Sequence, residues 1–140
     1  MRLLVAEVLP ALLLPEAGSL LDVGSGNGSP GLVFALVRDD LEVTLLEPRA
    51  RRWAFLREAA RAAGRSVRVV RRRHDGYEGP PARTVTLRAL ALPLADLAPL
   101  VVPGGQVIVF GGRPRVGDGF VVTPEGQGLP PGLAVFRRVG

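Results

Sequence analysis

Apolar residues recur along the chain in blocks whose spacing alternates between strand and helix. Ser19-Leu20-Leu21-Asp22-Val23 is an apolar run carrying one acid. Gly24, Gly26, Gly28 and Gly31 then interrupt it before Leu32-Val33-Phe34-Ala35-Leu36-Val37 resumes. This predicts a first strand, a tight glycine loop and a helix beginning near Pro30. Leu41-Glu42-Val43-Thr44-Leu45-Leu46-Glu47 is a second strand ending in an acid. Residues 48–64 carry helical spacing: Trp53, Leu56 and Ala60 share one face, and Arg57, Arg61 and Arg65 form a stripe on another. Gly64 stands where that helix should stop. Val67-Arg68-Val69-Val70 and Thr84-Val85-Thr86-Leu87 are a third and a fourth strand. Residues 93–100 are a short helix, and Gly105-Gln106-Val107-Ile108-Val109-Phe110 is a fifth strand.

Such alternation implies a mostly parallel sheet with right-handed crossovers. The tail breaks the rhythm. Gly119-Phe120-Val121-Val122 and Leu133-Ala134-Val135-Phe136-Arg137 are joined by a Pro/Gly-rich loop with no room for a helix, so they read as an antiparallel hairpin on the sheet's edge. The other Pro/Gly-rich stretches, at 79–82 and within 111–131, read as loops. An α/β chain of five alternating strands and a C-terminal antiparallel hairpin has the plan of a class I S-adenosylmethionine-dependent methyltransferase, a Rossmann-like fold. A pure dinucleotide-binding fold has no need of the hairpin.

With 140 residues the chain is read as one domain, 1–140, able to bury roughly two-thirds of the surface its unfolded form exposes. Within residues 1–17, the apolar opening is interrupted by Glu7, Pro10 and Pro15 and reads as an amphipathic helix packing on the sheet. No basic start with a small-residue cleavage site is present, and no apolar run approaches the ~20 residues of a membrane span. The absence of cysteine excludes a disulfide framework and thiolate chemistry. A cytoplasmic monomer is expected, with no metal and no membrane partner. The net charge of +5 matters more, because all 18 basic residues are arginine. Arginine's planar, permanently charged fork suits phosphate, so the excess fits an anionic polymer as partner.

Two glycine patterns overlap in the loop. Gly24-x-Gly26-x-Gly28 is methyltransferase spacing, whereas Gly26-x-Gly28-x-x-Gly31 satisfies the dinucleotide pattern, with Glu47 close to the ~20-residue distance expected of a ribose-binding acid. Either cofactor has a ribose whose hydroxyls Glu47 can accept. Placement favours the methyl donor, because Gly24 follows the strand directly and Gly26 comes two residues late for a dinucleotide. A NAD-dependent oxidoreductase remains the competing reading.

The segment Leu20-Leu21-Asp22-Val23-Gly24-Ser25-Gly26-Asn27-Gly28-Ser29-Pro30-Gly31 resembles the cofactor loop of the GidB/RsmG family, whose members methylate N7 of a guanine in bacterial small-subunit ribosomal RNA. The closing Pro30-Gly31 pair is more particular than the glycines. Further segments agree in order: Val43 to Glu47 with Arg51-Arg52-Trp53-Ala54-Phe55-Leu56-Arg57-Glu58, then Arg73-His74-Asp75, then Arg88-Ala89-Leu90-Ala91. The resemblance implies S-adenosylmethionine as cofactor, held by Gly24, Ser25, Gly26, Gly28 and Ser29. It also implies Glu47 on the ribose, His74 and Asp75 beside the adenine, and Arg88 as a cofactor contact and catalytic residue near the reacting end. Small-subunit rRNA, or the ribosomal subunit, is the implied partner, with Arg71, Arg72 and Arg73 on its phosphates.

Competing readings stand beside these. Asp75 would cap the turn at Gly76, and Arg71 to Arg73 would be a solvated basic turn. Trp53 and Phe55 read as core, although an exposed aromatic can stack a base. The chain also departs from the family. It has a shorter N-terminal region, Phe110 in place of a lysine, Leu87 in place of a serine, and Ser29 in place of a large apolar residue. These departures bear on RNA more than on cofactor, so a non-catalytic relative that binds S-adenosylmethionine or RNA is a second functional class.

Overall fold

The structure is a computed structural model that describes residues 8–24, 30–88, 92–111, 116–117, 119–124 and 128–140. Its strands are β1 (Gly18–Val23), β2 (Leu41–Leu46), β3 (Arg68–Val70), β4 (Ala82–Arg88), β5 (Val101–Phe110), β6 (Phe120–Val122) and β7 (Leu133–Arg138). They form one sheet in the order β3-β2-β1-β4-β5-β7-β6. The first five strands run parallel, and β7 is antiparallel to both β5 and β6. The predicted edge hairpin is therefore present, and its second strand is the one that joins β5. This is a class I methyltransferase arrangement.

Because the sheet is covered on both faces, successive residues of its strands enter different cores. Leu20, Val43, Leu45, Ile108 and Phe110 pack under α1 (Gly31–Val37) and α2 (Ala50–Ala62). Leu21, Leu46, Val85, Val107 and Val109 pack on the opposite face, against Leu94, Leu97 and Leu100. α2 buries Leu56 and Ala60 as its spacing predicts. It stops at a Schellman motif: Gly64, at φ +69°, donates to Arg61 O (3.1 Å), and Arg65 donates to Ala60 O (3.4 Å).

Several expectations need correction. The N-terminal helix does not extend past Ala11; Val8 leads into a 3₁₀ turn, Leu9–Ala11, and residues 1–7 lie outside the described residues. Pro15 disfavours helix at the residue before it, which closes off any continuation. Val8 and Ala11 still pack on the sheet, in the same core as Phe34 and Phe110. The segment before β5 is a 3₁₀ helix, Leu94–Leu100, with Pro99 inside it. β4 begins at Ala82, inside the Pro/Gly-rich stretch that reads as a loop, and β5 begins four residues early and carries an irregular register opposite Ala82 and Thr84. Phe55, read as core, is 49% exposed. Arg65 leaves the helical stripe because the chain reverses at Gly64, and it folds back onto Asp39 and the Leu36 carbonyl.

Candidate functional site

The parallel strands deliver the candidate residues to one edge of the sheet. Val23 of β1 pairs with Leu46 of β2 and with Leu87 of β4, so Gly24, Glu47 and Arg88 are level with one another one residue further on. Leu46 pairs with Val70, which extends the line to Arg71, and Arg88 pairs with Phe110 of β5. Arg71, Glu47, Gly24, Arg88 and Phe110 thus form a row across five neighbouring strands, although 63 positions of the 140-residue chain separate Phe110 from Glu47. β1 lies between β2 and β4, where the strand order reverses. Open α/β sheets bind ligands beyond the strand ends at that point.

Gly24 adopts φ +67°, a left-handed conformation that glycine enters without a Cβ penalty, and it turns the chain out of β1. Ser25, Gly26, Gly28 and Ser29 lie outside the described residues. At the far side of the loop Gly31 opens α1 against β1. A Cβ there would fall 2.5 Å from Asp22 Cβ, 2.6 Å from Asp22 Oδ2 and 2.5 Å from Leu45 Cδ2. The Pro30-Gly31 pair noted in the sequence therefore has a packing reason: only glycine lets α1 sit directly on the Asp22 side chain. Asp22 is fully buried and accepts a hydrogen bond from Thr86 Oγ1 at 2.6 Å. Sequence reasoning assigned it no role, although an acid inside an apolar strand two residues before the loop was a visible signal.

Glu47 is 2% exposed. Its N–H donates to Val70 O (3.0 Å), tying the end of β2 to β3, and its Oε2 accepts the Arg49 N–H (2.7 Å). A carboxylate held by the main chain at the mouth of the site, beside a glycine turn, can accept hydroxyl hydrogen bonds of a sugar. His74 and Asp75 form the next turn along the edge, a 3₁₀ turn His74–Gly76. That turn closes through Gly76 N–H to Arg73 O at 3.1 Å. Asp75 pairs with the Arg73 guanidinium at 3.3 Å and does not cap the turn. Arg71, Arg72 and Arg73 are exposed; Arg71 Nε donates to Pro48 O (3.3 Å) and Arg72 to Arg71 O (3.1 Å). Arg88 is half-buried at the end of β4.

Phe110 is core: it is 2% exposed and packs against Phe34 with ring centroids 6.4 Å apart. Leu87 is likewise buried. Beyond Phe110 the row opens on a cleft of about 280 Å³ lined by Pro10, Phe110, Gly111 and residues 130–133. Trp53 is half-buried and donates its indole N–H to Val69 O at 3.1 Å, with the Arg57 guanidinium 4.8 Å above its ring. Among the described residues, no group of three His, Cys, Asp or Glu side chains could hold a metal ion, and no helix is long and apolar enough to cross a membrane.

Solved structures agree with the fold. A methyltransferase from Thiobacillus denitrificans, described as S-adenosylmethionine-dependent and crystallised with S-adenosyl-L-homocysteine, superposes with a TM-score of 0.63 at 22% identity, over 78% of this chain and 48% of that one. A structure described under the conversion of a disulfide bond into a thioacetal group during echinomycin biosynthesis gives a TM-score of 0.72 at 18% identity, over 96% and 81%. Closer in sequence are proteins named ribosomal RNA small subunit methyltransferase G. The one from Salinispora arenicola is 45% identical over 134 residues, covering 84% of this chain and 55% of its own length. That from Streptomyces coelicolor is 46% identical over 107 residues, covering 71% and 44%. The chain spans about half the length of the curated relatives it matches. The GidB family model, described as rRNA small subunit methyltransferase G, matches residues 2–114, and this chain belongs to that family.

Proposed function

We propose that this chain binds S-adenosylmethionine and transfers its methyl group to N7 of a guanine in small-subunit ribosomal RNA, in the cytoplasm. The observation that carries the reading is the row Glu47, Gly24, Arg88 at the strand ends, where a buried acceptor, an open main-chain turn and a guanidinium stand level with one another. The residues fit that ligand. Glu47 accepts the ribose hydroxyls, the turn at Gly24 with the loop of Ser25, Gly26, Gly28 and Ser29 lets the methionine part approach the backbone, and His74 with Asp75 borders the adenine.

S-adenosylmethionine supplies a methyl group already activated by its positive sulfur. Guanine N7 is a proton-free acceptor, so this chain need supply no general base. Its work is alignment, which contributes up to ~7–11 kcal/mol when the reacting atoms are held in line. Arg88 has only donors to offer and therefore serves the methionine carboxylate or guanine O6, not N7 itself, where positive charge develops. The cleft beyond Phe110 is apolar enough to receive the base. Family membership and the unneutralised arginines beside the row support RNA as the substrate, and neither supports the nicotinamide alternative.

Transfer of labelled methyl to small ribosomal subunits and to naked rRNA tests the reading, with Arg88→Ala as the paired variant. Transfer by the wild-type chain, lost in Arg88→Ala, is the expected result, and S-adenosylmethionine affinity measured on the same variant tells the methionine carboxylate (affinity falls) from guanine O6 (affinity kept). A wild-type chain that binds S-adenosylmethionine yet methylates neither substrate leaves only the non-catalytic reading.

A further inference from the structure

We propose that the N-terminal half of α2 is a platform for single-stranded RNA, with Phe55 stacking an unpaired base and Arg51 and Arg52 gripping the phosphates on either side. The inference rests on the RNA-methylating reading above and deepens it by naming a contact surface.

Phe55 is the starting point. Leu56 and Ala60 turn α2 onto the sheet and Trp53 reaches the β3 edge, which leaves Phe55 outward and 49% exposed. Arg51 and Arg52 precede it by four and three positions and are its neighbours on the helix surface. Both are exposed, and neither makes an ion pair or hydrogen bond among the described residues. The first turn of α2 contains no acid, so these cations sit at the positive end of the helix dipole, an arrangement that weakens the helix unless an anion is supplied.

A half-exposed ring beside bare guanidinium groups matches one ligand chemistry: a planar base between phosphates. Stacking on aromatic side chains together with backbone neutralisation is how single strands are held, and bases inside a duplex offer no free face to such a ring. The platform also borders the site. Arg49 is held to Glu47 through its N–H, and Arg71 leans on Pro48 O, so a strand laid over α2 runs directly to the row at the strand ends.

The test measures affinity for a short single-stranded oligoribonucleotide and for its duplex over a range of salt, with S-adenosylmethionine affinity measured in parallel. Phe55→Leu should weaken single-strand binding by roughly 5- to 150-fold without changing the salt slope, and Phe55→Tyr should retain it. The double variant Arg51→Gln, Arg52→Gln should lower the log–log salt slope by about 1.4, at ~0.7 per phosphate contact on single strands. All variants should keep wild-type S-adenosylmethionine affinity. Phe55→Leu binding single strands as tightly as wild type overturns the stacking, and an unchanged slope in the arginine variant overturns the phosphate contacts. If wild-type protein binds S-adenosylmethionine but no RNA, the functional reading fails with it. If wild-type protein methylates rRNA and the variants bind it equally well, this inference fails alone.

Discussion

At the edge where the parallel strands begin, arginine meets carboxylate. Arg83 and Arg137 converge on Glu16 at 2.8 and 3.2 Å, Arg38 meets Asp40 at 2.7 Å, and Arg65 reaches Asp39. These contacts hold the Glu16 and Asp40 carboxyls below the usual carboxylate range, through Arg83 and then Arg137 for the first and through Arg38 for the second. At the edge where the strands end, the guanidinium groups of Arg49, Arg51, Arg52, Arg71 and Arg72 pair with no carboxylate among the described residues, whereas that of Arg73 pairs with Asp75. Among the described residues, five guanidinium groups with no carboxylate partner therefore stand beside the row of site residues. One edge uses arginine to tie segments together, and the other holds it ready for an anion.

The two edges should respond differently to substitution. The largest effect is expected at the site edge itself, from Gly31→Ala. The new Cβ meets Asp22 and Leu45 at about 2.5 Å, and overpacking of this kind costs about 3 kcal/mol. Urea denaturation measures it, and wild-type stability would mean that α1 does not rest on Asp22. Next comes Glu47→Ala, expected to weaken S-adenosylmethionine and S-adenosylhomocysteine alike by about 1–3 kcal/mol, as for hydrogen bonds to a charged acceptor. Calorimetry with both ligands checks it, and an affinity change for only one would move the carboxylate away from the ribose they share.

Smaller still is the electrostatic contrast between the edges. Arg71→Gln with Arg72→Gln should lower the log–log salt slope of RNA binding by about 1.4–1.8. The same exchange at Arg38 and Arg83 should leave the slope unchanged, and equal effects at the two edges would erase the distinction drawn above. The smallest effect belongs to Glu16→Gln. The Glu16 carboxyl is lowered in the folded state, so its contribution is complete above the ordinary value of 4.5 and disappears as pH falls through the folded value. The pair is half exposed, so the variant should lose only about 0.5–1 kcal/mol at pH 7 and converge with wild type in acid. A stability difference that persists in acid would assign the loss to packing.

At the candidate site, what escaped the sequence was non-local. Phe55 has a core residue's chemistry, and only the angle at which α2 settles on the sheet, fixed by Leu56, Ala60 and the Trp53 indole, turns its ring outward. The Arg57, Arg61, Arg65 spacing looked like one stripe, but Gly64 ends the helix and sends Arg65 to Asp39, 26 positions away in sequence. Asp22 could be seen as an acid in an apolar strand, but its contacts with Thr86 and Gly31 come from a neighbouring strand and the following helix.

The sequence by itself determined the order and kind of the strands and of the two α-helices in the parallel half, though not every boundary, together with the glycine turn after β1, the acid closing β2 and the edge hairpin. Each is written in a window of about ten residues, as periodicity or as a backbone demand that glycine meets. Tertiary structure alone decided that Gly24, Glu47 and Arg88 stand in one line, because register between strands distant in the chain is set by which side chains fill the two cores. It also decided which arginines are neutralised: the pairing carboxylates Glu16, Asp39 and Asp40 lie in segments that folding gathers at the strand-start edge, away from Arg49, Arg51, Arg52, Arg71 and Arg72.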